Sequence, residues 1–486
     1  MSYEPVIGLE VHVQLKTSTK IFCGCRNRFG DEPNTLICPV CLGYPGALPV
    51  LNREAVDLAV RLAMALGCTI EEYSVFARKN YFYADLPKGY QISQFDQPVA
   101  TGGCLPLSRS GRWVAIHRIH LEEDAGKLLH EAPGGVALPG HSLVDFNRCG
   151  VPLVEIVTEP DLYSAAEAQD YLQTLHQVLL YAEISDGNME EGSLRCDANV
   201  SVRPSGSTDL GTKAEVKNLN SFRNLARAVE FEIERQIGRL ESGQLVVQET
   251  RTFDAAQGVT RSMRGKEEAQ DYRYFPEPDL PPLILEKERV DAIRDSLPEM
   301  PWDAHVRLQS QYGLAENDAR LLTSTLEIAS YFEAVVRLHP ENPKGVANWI
   351  MTEVLRELKT SRGKLATALP ASKLAELVRL VDAGEVSSSA AKDVFAAIWN
   401  RDEEPRQAME RLRLGQVRDS YEIGLWVGEV LEEHPEPVAQ FLEGKTKALG
   451  FLVGQVMKRS AGRADPQRAQ SLLRESLQRL DGESTP

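Results

Sequence analysis

In VIGLEVHVQL (residues 6–15), Glu10 and His12 stand two residues apart in a run that alternates polar with apolar. Strand side chains alternate between faces, so Leu9, Val11, Val13 and Leu15 take one face and Glu10, His12 and Gln14 the other. The layout recurs. Arg118, His120, Glu122 and Asp124 share a face in IHRIHLEED; Arg195, Asp197, Asn199, Ser201 and Arg203 share one in LRCDANVSVR; Lys213, Glu215 and Lys217 share one in KAEVK. In VPLVEIV, Glu155 interrupts an apolar run. A sheet with one solvated face gives such alternation by default, and the last two strands read equally well that way. Glu10 and Glu155 fit it less well, because their neighbours are strongly apolar and an unpaired buried carboxylate is costly. Carboxylates with a histidine, near lysines and arginines, suit a Mg²⁺–phosphate site. The ion prefers oxygen ligands and the cations hold phosphates. Neither G-x-x-x-x-G-K-[ST] nor G-x-G-x-x-G occurs, which excludes a standard nucleotide loop.

A second constellation is Cys23, Cys25, Cys38 and Cys41, a C-x-C and a C-x-x-C pair separated by twelve residues. A hairpin that joins such pairs offers four thiolates to tetrahedral Zn²⁺, and Gly24, Gly30, Pro33, Asn34 and Pro39 supply the turn chemistry. Reduced thiols in a loop, or a redox pair, are the competing readings. Cys68, Cys104, Cys149 and Cys196 are scattered and read as small packed residues.

The elements that must position these groups are strands at 6–15, 113–124, 151–159, 194–203 and 213–219. Amphipathic helices are expected over 53–67, 164–182 and 221–243. Strands and helices do not alternate strictly, which predicts an α+β domain with an antiparallel sheet. Pro-rich YFPEPDLPPLIL (274–285) and SLPEMPW (296–302) mark its end, and the strand signal then nearly vanishes. In 371–384, Leu374, Leu377, Val378 and Val381 form a helical stripe with Gly384 as a stop. With a further split at the RDEEP turn, the chain divides into 1–292, 293–405 and an all-α tail, 406–486. A length of 486 residues is consistent with several domains. No apolar run is long enough to span a membrane, and the N-terminus lacks a signal-peptide layout, so a cytoplasmic location without stable disulfides is expected. The net charge of −16 argues against wholesale coating of nucleic acid.

Long stretches resemble the B-subunit family of the tRNA-dependent amidotransferases: VIGLEVHVQL, CPVCLGYPGALPVLN, RKNYFYADLPKGYQISQFDQP, HLEEDAGK, DFNRCGVPLVEIVTEPD, EEGSLRCDANVSV, EVKNLNSF, DYRYFPEPDLPPL and GKTKALGFLVGQVMK. The resemblance covers nearly the whole chain. It implies a cradle-like catalytic domain (1–292), a helical domain (293–405) and a YqeY-like tail (406–486). It implies a carbon–nitrogen ligase subunit in which ATP phosphorylates the side-chain carboxylate of Asp-tRNA(Asn) or Glu-tRNA(Gln). Ammonia, released from glutamine by an amidase A subunit, then displaces the phosphate, and a small C subunit braces the pair. A cognate non-discriminating aminoacyl-tRNA synthetase is a further implied partner. The chain carries no amidase-type signature, so ammonia must come from elsewhere. The resemblance places metal-binding side chains on Glu10, His12, Glu122 and Glu155, with His12 acting directly or through water. It places phosphate or carboxylate contacts on Lys79, Arg148, Ser193, Lys213 and Lys217. Some members lack the four cysteines, which sets a catalytic role for the cluster aside. The loop 129–142 matches no motif.

Residues 441–486 carry eight Lys/Arg against five acids, a local excess of three positive charges. A solvated helical face explains this as readily as a ligand does. The resemblance implies that the tail binds the tRNA body, through Lys445, Lys447, Lys458 and Arg459 among others. Two readings of other classes stay open from the residues alone: a non-catalytic tRNA scaffold, and a stand-alone Mg²⁺-dependent ligase.

Overall fold

The structure is a computed structural model. It describes all residues except 1, 130, 133–135, 138–139, 264–271, 359–364, 400, 418, 461 and 484–486, with 131–132, 136–137 and 481–483 described by backbone alone. The loop 129–142 therefore falls largely outside the described residues. Packing divides the chain into two units, residues 1–303 and 304–486.

The first unit is built on a twisted sheet. Its principal strands are β1 (Tyr3–Gln14), β4 (Trp113–Glu123), β5 (Pro152–Thr158), β6 (Leu194–Pro204), β7 (Ala214–Leu219), β8 (Glu249–Asp254) and β9 (Val259–Ser262). A separate hairpin pairs β2 (Phe76–Asn80) with β3 (Tyr90–Gln94). The main sheet runs β9-β8-β7-β6-β1-β5-β4, and short strands at 100–101 and 69–70 continue it beyond β4. The expected antiparallel sheet is present, with one exception. β7 and β8 are parallel, because helix α3 (Phe222–Glu241) connects them, and a parallel pair requires such a crossover.

Apolar alternation sets the layers. Leu9, Val11 and Val13 of β1, Ile119 and Leu121 of β4, Val154 and Ile156 of β5, and Leu194, Cys196, Ala198 and Val200 of β6 are all buried in one core. Helices α1 (Arg53–Ala65), α2 (Ala165–Tyr181) and α3 contribute their apolar stripes to the same core. Each helix starts at a side-chain cap: Asn52, Ser164 and Ser221 accept from the backbone N–H groups of Glu54, Glu167 and Asn224. With one face covered by helices, the opposite face of β1, β4 and β5 is left to carry polar groups.

The β2–β3 hairpin is fastened to β4 by side chains. Gln94 Oε1 accepts from Leu121 N at 3.0 Å, and Gln91 Nε2 donates to Glu123 O at 2.6 Å. The Pro-rich stretch, expected as a boundary, is instead woven into this unit. Phe275–Pro276 pairs with β2 and Leu283–Ile284 with 73–74. Arg78 locks it in place, donating from Nε and Nη2 to both oxygens of Glu277 at 2.7 and 2.8 Å. The expected boundary at 292/293 lies inside the helix Lys287–Asp295, and Met300 and Trp302 still pack on the first core.

Among the described residues, the second unit contains helices and isolated bridges. It has two apolar clusters, one from Leu308 to Met409 and one from Ile423 to Leu477. In the first, a π-turn over Ile350–Val354 buries Glu353, whose oxygens pair with Arg356 and Lys392 at 2.7 and 2.9 Å. No helix among the described residues is long and apolar enough to cross a membrane.

Because the Glu277 side chain is fully buried, Arg78→Ala is expected to leave an unpaired interior carboxylate. Chemical denaturation of the variant should show a loss of about 3–5 kcal/mol; an unchanged midpoint would mean that the pair does not anchor the Pro-rich segment.

Candidate active site and metal sites

Strand register assembles the polar face. His12 of β1 lies opposite Glu155 of β5, and Glu155 lies opposite His120 of β4. Side chains directly opposite on one face come within contact range. His12 Nε2 is 3.4 Å and His120 Nε2 is 3.2 Å from the same Glu155 oxygen. Glu122, two residues along β4 from His120, is 3.9 Å from His12 Nε2 and 3.8 Å from His120 Nε2. Ser93 of β3 donates to Glu122 at 3.1 Å. His120, Glu122 and Glu155 are all buried.

The titration behaviour follows from this crowding. Burial opposes the Glu155 anion, yet the charges of His120 and His12 hold its pKa well below the usual carboxylate range. Burial also opposes the Glu122 anion, and the His120 hydrogen bond and the Lys79 charge outweigh it and lower the pKa. Burial disfavours both imidazolium ions. Glu155 overcomes that penalty at His12, whose pKa rises, and Glu155 with Glu122 raises His120 to about 9. The carboxylates are thus tolerated because protons on two imidazoles supply positive charge. Glu10 is different. Burial and the nearby Glu155 charge raise its pKa, and Asn199 donates to it at 2.8 Å.

A divalent cation fits this donor set. Ligand atoms of His12, Glu122 and Glu155 lie within 4.8 Å of one another, the carboxylates supply hard oxygens, and a metal would replace the imidazole protons as counter-charge. His120 Nδ1 is buried without a hydrogen-bond partner.

The other residues expected at the site divide into three places. Lys79, on β2, adds positive charge beside Glu122 and Glu155, and its Nζ lies 5.0 Å over the Tyr272 ring. Lys217 is held by Asp197 and Glu215, both at 2.7 Å, in a second cluster that joins the field of Glu10. Arg148 is committed to the turn after β4, donating to Ala125 O and Gly126 O at 2.9 and 2.6 Å. There Asp124 also accepts from Gln14 and Arg195, both at 2.8 Å. Arg148, Arg195 and Lys127 line a cleft of about 470 Å³ together with the acids Asp145, Glu190 and Asp197. Lys213 is exposed at the start of β7. Ser193 is buried, and its backbone bridges Asn188 O and Gln14 N; the structure does not bring its side chain to Glu122 or Glu155.

The four cysteines converge as well, with ligand atoms within 4.8 Å of one another and Cys38 and Cys41 Sγ 3.9 Å apart. Tetrahedral Zn–S bonds of about 2.3 Å place sulfurs roughly 3.8 Å apart, so this set fits a metal. A hydrogen bond from Cys23, together with backbone and Lys20 contributions, outweighs burial and lowers the Cys41 thiol to about 5. Lys20 is fully buried and donates to Leu36 O at 2.7 Å, with Cys41 Sγ at 3.8 Å. The loop is stitched to the segment before β5: Asn34 donates to Val144 O and accepts from Phe146 N, and Ile21 N donates to Gly150 O.

In the tail, Lys447 and Lys458 are exposed on the helix Lys447–Arg459. Lys445 pairs with Glu443 at 3.3 Å. Arg459 is held by Glu429 and Glu433 at 2.5 and 2.8 Å.

Two residues of these sites were not singled out from sequence. His120 carried a signal, since it shares a face with Glu122, but its contact with Glu155 depends on a register that sequence does not give. Lys20 carried no signal beyond its proximity to Cys23.

Comparison with known proteins follows the same division. Residues 5–291 match the family described as the GatB/GatE catalytic domain, and residues 330–477 match the GatB domain. The chain is 50% identical over 482 residues to the B-subunit of the aspartyl/glutamyl-tRNA(Asn/Gln) amidotransferase of Carboxydothermus hydrogenoformans, spanning 98% of this chain and 99% of that protein. The proteins of the same description from Geotalea daltonii and Persephonella marina are 52% and 48% identical, each spanning 98% of this chain and all of the relative.

The His120 pKa is raised, so the stability it contributes is full below about 6.5, the unfolded value, and is lost as pH rises through about 9. Metal-depleted wild-type protein should therefore lose stability between these pH values more steeply than Glu155→Gln. Parallel pH–stability curves for the two would contradict the assigned contact.

Proposed function

The chain belongs to the GatB/GatE family, and from that premise we propose that it is the subunit of a glutamine-dependent tRNA amidotransferase in which the amidation occurs. The observation that carries the reading is the row His12–Glu155–His120 with Glu122 beside it, on strands whose alternate residues form the apolar core. In the proposed reaction the side-chain carboxylate of Asp-tRNA(Asn) or Glu-tRNA(Gln) attacks the γ-phosphorus of ATP, releasing ADP and forming an acyl phosphate. Ammonia, supplied by the amidase subunit, attacks the acyl carbon. Phosphate leaves and the amide forms.

Each cluster has a task in this scheme. Glu122 and Glu155, with His12, would hold Mg²⁺, and Glu10 extends their negative field. The ion supplies charge neutralisation to the transferring phosphoryl group. Arg195, Arg148 and Lys127 bind and orient the polyphosphate in the cleft they line. Lys79 faces the carboxylates from the other side, where it orients the substrate carboxylate. Lys217, and Lys213 at its strand's start, add positive charge near Glu10, and Ser193 fixes the end of β1. The four cysteines would bind Zn²⁺ as a structural clasp. Residues 1–292 act as the catalytic domain, 293–405 as a helical spacer, and 406–486 as a tRNA-binding tail that uses Lys445, Lys447, Lys458 and Arg459. The amidase and the small bracing subunit complete the assembly.

Reconstituted with its partner subunits, the Glu122→Gln or Glu155→Gln variant should lose at least about a hundred-fold in amidation of charged tRNA, the order expected when charge stabilisation is removed. Glutaminase activity of the amidase subunit should persist. Amidation at wild-type rate in both variants would remove the reaction from this face.

For the cysteines, protein purified without chelator should contain about one zinc per chain. Metal removal should lower the melting temperature, with activity falling only in step with loss of structure. A zinc-free preparation of full stability would leave four reduced thiols.

A further inference from the structure

The carboxylate row has two unlike flanks. On one, Arg195 lies in the field of Glu122 and pairs with Asp124, with Arg148 at 3.6 Å from the same carboxylate. The other is aromatic. Tyr81 meets Tyr83 and Tyr272 edge-on at 6.0 and 5.9 Å, and Tyr272 meets Tyr274 at 5.9 Å. Tyr274 stacks on Phe95 with centroids 4.1 Å apart and planes 8° from parallel. Lys79 joins the two features, lying over Tyr272 and adding its charge beside Glu122 and Glu155.

These rings are held by polar contacts. Asn80 donates from its backbone and its side chain to Tyr272 O at 3.0 and 3.2 Å. Tyr81 donates to Gln91 at 3.0 Å, and Arg118 holds Phe95 O at 3.0 Å. Yet the rings are not core: Phe95 is 45% and Tyr83 50% exposed. A stacked pair with one exposed member can accept one more planar ring. Single-stranded nucleic acids are bound in this way, by base stacking on aromatic side chains.

Resting on the amidotransferase reading, we propose that Phe95 and Tyr274, supported by Tyr272 and Tyr81, form the stacking platform for the 3′-terminal base of the charged tRNA. The aminoacyl group is esterified to the ribose that bears this base. A substrate carboxylate at the Glu122–Glu155 row therefore places the base no further from the row than the aminoacyl ester and one ribose can reach. ATP is assigned to the side of the row where Arg195 and Arg148 meet Asp124, and an adenine stacked on these rings is the competing outcome that the test below separates. Lys79, between rings and carboxylates, is then positioned to orient the side-chain carboxylate.

The test uses the full chain assembled with its partner subunits and a tRNA carrying 2-aminopurine at its 3′ terminus, a base whose fluorescence falls on stacking. Wild-type complex should quench the label on binding. Phe95→Leu and Tyr274→Leu should bind the tRNA body but lose most of the quenching, and should raise KM for charged tRNA about ten-fold, the size of one stacking contact. KM for ATP should change less than two-fold, and Phe95→Trp should restore both quenching and KM. Undiminished quenching in the leucine variants would overturn the platform, as would a rise in KM for ATP alone, which would give these rings to the adenine of ATP. Wild-type complex that bound no labelled tRNA would overturn the amidotransferase reading and the platform with it.

Discussion

The structure depends on the cost of placing carboxylates side by side away from water. Glu122 and Glu155 are buried within reach of the same two imidazoles, where each would repel the other's charge. Such a group survives ionised only beside positive charge. His12, His120 and Lys79 supply it, and a divalent ion would supply more in less space. This requirement fixes much else. The row works only if β1, β5 and β4 keep their register, because a one-residue slip sends every side chain to the opposite face. The register in turn is fixed by the apolar set on the other face, packed under three capped helices.

Around this row the chain uses polar ties where a hydrophobic contact would not specify position. Asp124 gathers Gln14 and Arg195, with Arg148 at 3.6 Å, at the end of β4. Glu277 fixes the aromatic segment to Arg78. The cysteine loop is bonded to residues 144–150, immediately before the strand that carries Glu155. Gly43 within that loop adopts φ +67°, and a Cβ there would collide with the Lys88 side chain, which pairs with Glu123 next to Glu122. A metal held at the cysteines would therefore act on the site through covalent neighbours and close packing. It would have no contact with the reacting groups.

Much of this was legible in the sequence. Period-two alternation located β1, β4, β5, β6 and β7 to within one to three residues at each end, because one face of each strand is strongly apolar. It also assigned Glu10, His12 and Glu122 to polar faces, Glu155 stood out as a carboxylate inside an apolar run, and local cysteine spacing pointed to one cluster. What escaped was whatever depends on pairing between distant segments. The β2–β3 hairpin and β8–β9 are short and weakly patterned. The parallel β7–β8 pair follows from a crossover helix, and the Pro-rich segment pairs with strands some 200 residues earlier. His120 and Lys20 gain their roles from three-dimensional neighbours, as Arg459 gains its pairing with Glu429 and Glu433.

The proposed divalent-cation site is the row of Glu122, Glu155 and His12, whose counter-charge is otherwise supplied by protons. Calorimetric titration of the purified chain with Mg²⁺ in two buffers of different ionisation enthalpy tests this directly, with Mn²⁺ as a spectroscopic check. Mg²⁺ should bind saturably near neutral pH with release of protons, and Glu155→Gln should lose both. Binding without proton release, or binding unaltered by that substitution, would contradict this assignment.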